Sequence, residues 1–217
     1  LFLTAARGFK GGGFNGSSFN GENLEFDSEE ASTIEFGMKG KFFENTLEFN
    51  ATIFQTKFDN LQVLAYNGTL FDVENAASAT AEGLEVDFRW LTPLQFLSVS
   101  GSAGYLDARY DEYDNAPAIV GSGEESQDLG GEPLAKAQRA SASLSPEISL
   151  PLFGDLGIQI SLDLLYAGSQ YSDTDLDPNT KIDPYTSYNG RISVADISAA
   201  WSITLGDINI IDEKALS

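Results

Sequence analysis

Between Glu30 and Trp90 the chain is written with a period of two. Ile34, Phe36, Met38, Gly40 and Phe42 alternate with Glu35, Gly37, Lys39 and Lys41. After Glu44-Asn45, Leu47, Phe49, Ala51 and Ile53 alternate with Glu48, Asn50 and Thr52. Further on, Leu84, Val86, Phe88 and Trp90 alternate with Glu85, Asp87 and Arg89. Successive side chains of a strand point to opposite faces, so each run predicts a strand with one apolar and one polar face. Such a chain must find a home for the apolar face, either a protein core or lipid.

The same writing continues along the chain. Strands are expected over roughly 1–8, 30–42, 46–65, 80–91, 96–110, 135–152, a stretch around Ile158–Tyr166, 188–195 and a last one through Trp201–Leu205. Long polar connections, 9–29, 66–79, 111–134 and 173–187, alternate with short turns at Glu44-Asn45, Thr92-Pro93, Gly154-Asp155 and near Asp196. Aromatic residues sit beside the short turns: Phe42, Phe43, Trp90, Phe96, Phe153 and Trp201. Several alternating runs reach the ~9–11 residues that a tilted strand needs to cross a bilayer. Long loops at one end, short turns at the other, an aromatic girdle and a polar opposite face describe the wall of a transmembrane β-barrel. The fold class is therefore all-β and antiparallel. A soluble β-sandwich also alternates, with its apolar face packed inward, and stays open on this evidence. So does a complete small barrel acting as a passive pore or adhesin.

Charge and missing residue types narrow the function. The 217 residues carry 12 Lys and Arg against 33 Asp and Glu, a formal charge of −21. Such a surface repels nucleic-acid phosphates. There is no Cys and no His. That removes disulfides, thiolate metal sites and the commonest general base, so catalysis is not expected. Leu1-Phe2-Leu3-Thr4 already reads as strand, with no initiator Met or basic-then-apolar leader before it. The chain is expected to be a fragment of a longer one.

Short motifs along the chain resemble one family. Arg7-Gly8-Phe9-Lys10-Gly11-Gly12-Gly13-Phe14-Asn15 is similar to the RGFKxGGFN segment of TonB-dependent outer-membrane receptor barrels. Glu30 and Glu35-Phe36-Gly37-Met38-Lys39 resemble that family's next strand, and Phe54 with Asp59-Asn60-Leu61-Gln62-Val63 the one after. Asn75-Ala76-Ala77 with Ala81-Glu82-Gly83-Leu84-Glu85-Val86, then Pro133-Leu134-Ala135, then Trp201, Asn209 and Asp212-Glu213 follow in the family's order. Ile210-Ile211 and the lack of Ala-Pro after Ala135 depart from the pattern. The resemblance implies about nine strands of a barrel of about 22. Residues 1–217 would be its C-terminal portion, without the plug domain and the last strand. It further implies a Gram-negative outer membrane, uptake of a ferric siderophore, corrinoid or oligosaccharide, and energy delivered by the TonB complex through the absent plug.

Site candidates are few. The aromatics Phe14, Phe19, Tyr110, Tyr113, Tyr171 and Tyr185, with Asn15, sit in or near the long loops and could meet a ligand. Asp173, Asp175 and Asp177 have the alternate spacing of calcium ligands. Pro178 and Pro184 stand where an EF-hand needs Gly and Glu, so a solvated acidic loop is the plainer reading. Gly11–Gly13 lacks the following helix and Lys-Ser/Thr pair of a phosphate loop. Glu48, Glu85, Asp87, Arg89, Asp107 and Asp163 are expected as wall charges facing a wet interior or a plug. No cofactor and no resident metal are expected.

Overall fold

In the computed structural model, residues 1–16, 24–66, 71–75, 78–196, 198 and 200–210 are described. Nine long strands form the wall: β1 (Phe2–Lys10), β2 (Glu29–Phe42), β3 (Leu47–Asp59), β4 (Ser78–Leu91), β5 (Leu97–Glu112), β6 (Ala140–Pro151), β7 (Leu156–Ala167), β8 (Tyr185–Asp196) and β9 (Ser202–Asp207). Each pairs antiparallel with its neighbour in the chain, so the sheet order is the sequence order. The sheet is open, because β1 and β9 do not pair with each other. No described helix is long and apolar enough to cross a membrane.

Register decides what each face presents. Gly40, Phe49, Phe88, Gly101, Leu144, Leu164 and Tyr188 stand side by side across seven strands. Leu3, Phe36, Ile53, Leu84 and Tyr105 form a parallel row nearer the long loops. On the other face Lys39, Asn50, Asp87, Ser102 and Ser143 are neighbours. That face is stitched by polar pairs. Thr33 and Thr56 hydroxyls lie 2.9 Å apart, Asn50 donates to Asp87 at 2.8 Å, and Ser102 meets Ser143 at 2.8 Å. Lys41 and Glu48 are 2.6 Å apart.

The apolar face has no protein layer against it among the described residues. Ile53 is 54% exposed and Ile203 is 70% exposed. The buried apolar residues, Val63, Ala79, Ala108, Tyr110, Tyr113, Ala116, Leu129 and Leu176, lie at the long-loop end instead. A sandwich would bury its apolar rows between two sheets. This wall is one layer, so its apolar face is the outward, hydrocarbon-facing one. Ile34 to Phe42 spans about 27 Å of strand, and a tilt of ~35–45° brings that near the apolar band of an outer-membrane barrel. Phe43, Phe153 and Trp201 stay exposed at the short-turn end, where a membrane interface would take them.

Three local features shape the strand ends. The turn after β2 puts Phe43, Glu44 and Asn45 at positive φ, and the Thr46 amide closes it on the Phe43 carbonyl at 3.1 Å. The expected strand 46–65 stops at Asp59, because Asn60 adopts φ 54° and turns the chain into a separate hairpin, Gln62–Tyr66 with Phe71–Asn75. The expected strand 135–152 begins only at Ala140, since Lys136 at φ 60° carries the preceding segment off the sheet. Pro146 stands inside β6 without an amide proton, and neither it nor Ser145 joins the ladder to β7. The Ser145 hydroxyl spans that gap by donating to Asp163 at 2.6 Å.

Candidate functional site: the loop crown

The long loops fold over one end of the wall and form short pairs of their own. Gly13–Phe14 pairs with Glu25–Phe26, Ala116–Pro117 with Ser126–Gln127, and Gln170–Tyr171 with Lys181–Ile182. Together with the 62–75 hairpin they make a crown. Its centre is apolar: Val63, Tyr110, Tyr113, Ala116, Leu129 and Leu176 pack with Phe58, Leu61, Leu134 and Tyr171. The Tyr110 and Tyr113 ring centroids are 5.0 Å apart. Residues from three loops thus share one small core, which gives these loops a defined shape.

Side-chain amides bind the loops to one another. Asn15 donates from Nδ2 to the Val73 carbonyl and accepts from the Val73 amide, both at 2.8 Å. Asn75 donates to the carbonyls of Asp27 and Asn60, at 3.0 and 2.8 Å, and accepts from the Asp27 amide at 2.8 Å. Gln62 donates to the carbonyls of Gly11 and Asp27, each at 3.0 Å. Gln127 donates to those of Pro117 and Asp175, each at 2.7 Å. An amide carries two donor hydrogens and an acceptor oxygen, so one side chain can satisfy several loop backbone groups at once.

The sequence candidates fall in different places. Phe14 is 69% exposed. Asn15 is buried and engaged with Val73. Tyr110 is 2% and Tyr113 5% exposed, both in the crown core. Tyr171 is half-buried against that core, and Tyr185 is half-buried at the start of β8. Phe19 and Asp212-Glu213 lie outside the described residues. Asp175 accepts from the Asp177 amide at 3.1 Å, and Asp177 accepts from the Asn179 amide at 2.8 Å. Among the described residues no group of three acidic side chains gathers as a metal ion requires. Asp107, expected on the interior, instead lines an outward depression with Ile53 and Leu84, because it shares the face of Tyr105. Of the clasping amides, Gln62 and Asn75 fall within the family-like motifs but carry no sign there of a clasping role, and Gln127 stands in an acidic loop with no local signal.

Burial sets the protonation behaviour of the crown. The Glu74 carboxyl is pushed above its ordinary value, first by burial and then by Asp72. Tyr113 is pushed up as well, mainly by burial, then by Tyr110 and Glu74, so it stays a neutral phenol. Its hydroxyl is buried with no hydrogen-bond partner. Among the described residues, nothing in the crown pairs a nucleophile with a base.

An outward apolar band, a polar inner face and a folded loop crown define a segment of a membrane-spanning β-barrel receptor wall. The sequence matches the family described as TonB dependent receptor-like, beta-barrel over residues 1–210, and the chain belongs to that family. It lies in the outer membrane of a Gram-negative bacterium. The fold is similar to the ferric yersiniabactin uptake receptor FyuA from Yersinia pestis, with TM-score 0.74 at 17% identity over 97% of this chain and 29% of that one. It is similar also to the siderophore receptor PiuA from Acinetobacter baumannii, with TM-score 0.69 at 21% identity over 97% of this chain and 29% of that one. The ferric preacinetobactin receptor BauA from the same species gives TM-score 0.67 at 13% identity over 97% and 30%. This chain therefore spans under a third of the length of these solved structures.

Proposed function

We propose that residues 1–217 are the C-terminal portion of the barrel of a longer receptor, and that the whole receptor takes up a ferric siderophore across the outer membrane. Its plug domain and last strand lie outside this sequence on this reading. The plug would receive energy from the TonB complex. The family consists of transporters, and this segment contributes wall and loops rather than catalysis. The single observation that carries the reading is the folded crown over an outward-apolar, inward-polar wall. A crown with a shared core can hold a shaped mouth above a wet interior. Two of the similar solved structures are receptors for ferric yersiniabactin and ferric preacinetobactin and a third is a siderophore receptor, which supports that substrate class over corrinoids or oligosaccharides.

The test is growth of a strain lacking the gene under iron restriction, with defined ferric siderophores supplied one at a time. Loss of growth on at least one, restored by the intact gene, supports the proposal. Unchanged growth on every ferric chelate, with lost growth on a corrinoid or oligosaccharide, overturns the substrate class.

A further inference from the structure

Basic residues are scarce here, 12 against 33 acidic ones. Yet Arg109, Arg139 and Lys181 line one cleft of about 280 Å³, with Asp107 as its only carboxylate among the described residues. The cleft forms where the chain leaves the sheet before β6. The Leu134 amide bonds the Ala108 carbonyl and the Leu106 amide bonds the Arg139 carbonyl, both at 2.9 Å. Between these two anchors the Lys136 amide is drawn away to the Tyr171 carbonyl at 2.8 Å. The wall opens there, and the three cations surround the opening.

The cleft sits in the gap of the wall, lined by Leu106 and Ala108 as well as Asp107 and Arg109, and its charged side is outward. Asp107 and Arg109 share the parity of Tyr105, which stands in the apolar row with Leu84. The Arg139 guanidinium lies 6.0 Å from the Tyr105 ring centroid and donates to its hydroxyl at 3.4 Å. Arg109 donates to Asp107 at 2.9 Å and to the Gly131 carbonyl at 2.9 Å. Neither Arg139 nor Lys181 has a carboxylate at ion-pair distance among the described residues. Asp107 also lines the adjoining outward depression of about 590 Å³, with Gln55 and Glu82 beside it and Ile34, Phe36, Ile53 and Leu84 below. Cationic cleft and apolar depression therefore meet at the upper edge of the hydrocarbon-facing band, on the long-loop side.

We propose that this outward cleft binds the phosphate headgroup of an acyl lipid in the surrounding leaflet, with an acyl chain lying in the depression below it. Three cations beside two carboxylates, Asp107 and its cross-strand partner Glu82, still leave a local excess of positive charge in a strongly acidic chain, and a bound phosphate compensates it. Below the polar rim of Gln55, Glu82 and Asp107 the depression gives the acyl chain an apolar bed. The Tyr105 ring joins the two, with its hydroxyl toward Arg139 and its face toward the lipid. This role is separate from solute uptake and stands or falls independently of it.

The experiment measures lipid retention by the intact protein in detergent, using native mass spectrometry. The probes are phosphatidic acid, diacylglycerol as the same lipid without phosphate, and inorganic phosphate as competitor. Phosphatidic acid is expected to be retained and diacylglycerol lost. The double substitution Arg139→Gln with Lys181→Gln is expected to weaken retention roughly 30-fold. Lys181→Gln alone should weaken it roughly fivefold, and serves if the double variant does not fold by heat-modifiable migration. Arg7→Gln, an outward cation on β1 four strands from Arg109, should leave retention unchanged. Equal retention by wild type and variants overturns the proposal, as does an equal loss in Arg7→Gln. Complete displacement by inorganic phosphate overturns the lipid as occupant.

Discussion

The ring of Phe54 lies across Gly83 on the neighbouring strand, so closely that a Cβ on the glycine would stand 2.5 Å from the ring's Cζ. The two residues are direct cross-strand partners between β3 and β4. Gly83 is thus held by a packed ring rather than by a turn. Gly83→Ala should destabilise the wall by about 1–3 kcal/mol, as overpacking does. Urea unfolding of the protein in lipid vesicles measures it. In a Phe54→Ala background the cost should shrink without vanishing, because the Tyr105 carbonyl would still stand 2.7 Å from that Cβ. An equal cost in both backgrounds would show that the ring does not set the constraint.

The outward assignment of Phe49 makes a second prediction. Phe49 stands between Gly40 and Phe88 in an apolar row. Phe49→Arg should cost roughly 2–4 kcal/mol if the row lies near the bilayer midplane. Thr52→Arg, on the inner face of the same strand, should cost much less. Unfolding titrations in vesicles compare them, and equal costs would contradict the assignment.

The amide clasps predict a local effect. Removing the Asn75 side chain strands the Asp27 amide and the Asn60 carbonyl, and leaves the Asp27 carbonyl with Gln62 alone. Asn75→Ala should weaken local protection of the crown by about 1–3 kcal/mol, read as faster hydrogen exchange around residue 27. Strand protection in the wall should be unchanged. Equal loss in crown and wall would mean that they unfold as one unit.

The crown should also respond to pH through Glu74. Burial raises its carboxyl above the unfolded value of 4.5. The folded crown therefore binds the proton more tightly than the unfolded loop. Its contribution is fully present below pH 4.5 and is lost as pH rises through the elevated folded value. Limited proteolysis of the loops should be slower under mildly acidic conditions than at pH 7. Glu74→Gln should flatten that dependence by removing the titrating group. A pH dependence unchanged in Glu74→Gln would assign the effect elsewhere.

The wall was legible in sequence because the pleat has a strict period. Alternation in 34–42, 47–53 and 84–90 named both faces, and the strands fall within a few residues of their expected bounds. The failures lie where tertiary contacts override local pattern. The stretch 46–65 reads as one extended strand, but the turn at Asn60 divides it, and 62–66 pairs with 71–75 in a separate two-stranded sheet. Residues 135–139 read as the start of the strand 135–152, yet Ala135 packs against the crown core and Lys136 turns the chain at φ 60°. Tyr110 and Tyr113 show the same limit at the site. Nothing in their neighbours separates a ring that meets a solute from one that packs against loops. The cationic cleft joins residues far apart in sequence, Arg109, Arg139 and Lys181, so only the fold brings them together.

Spin labels placed one at a time at positions 47 to 53 of β3, in the intact protein in lipid vesicles, test the central claim most directly. Collision with oxygen, which concentrates in hydrocarbon, should peak at Leu47, Phe49, Ala51 and Ile53. Collision with a water-soluble relaxer should peak at Glu48, Asn50 and Thr52. A reversed phase, or no period of two, would contradict an apolar face turned to lipid and a polar face turned to water.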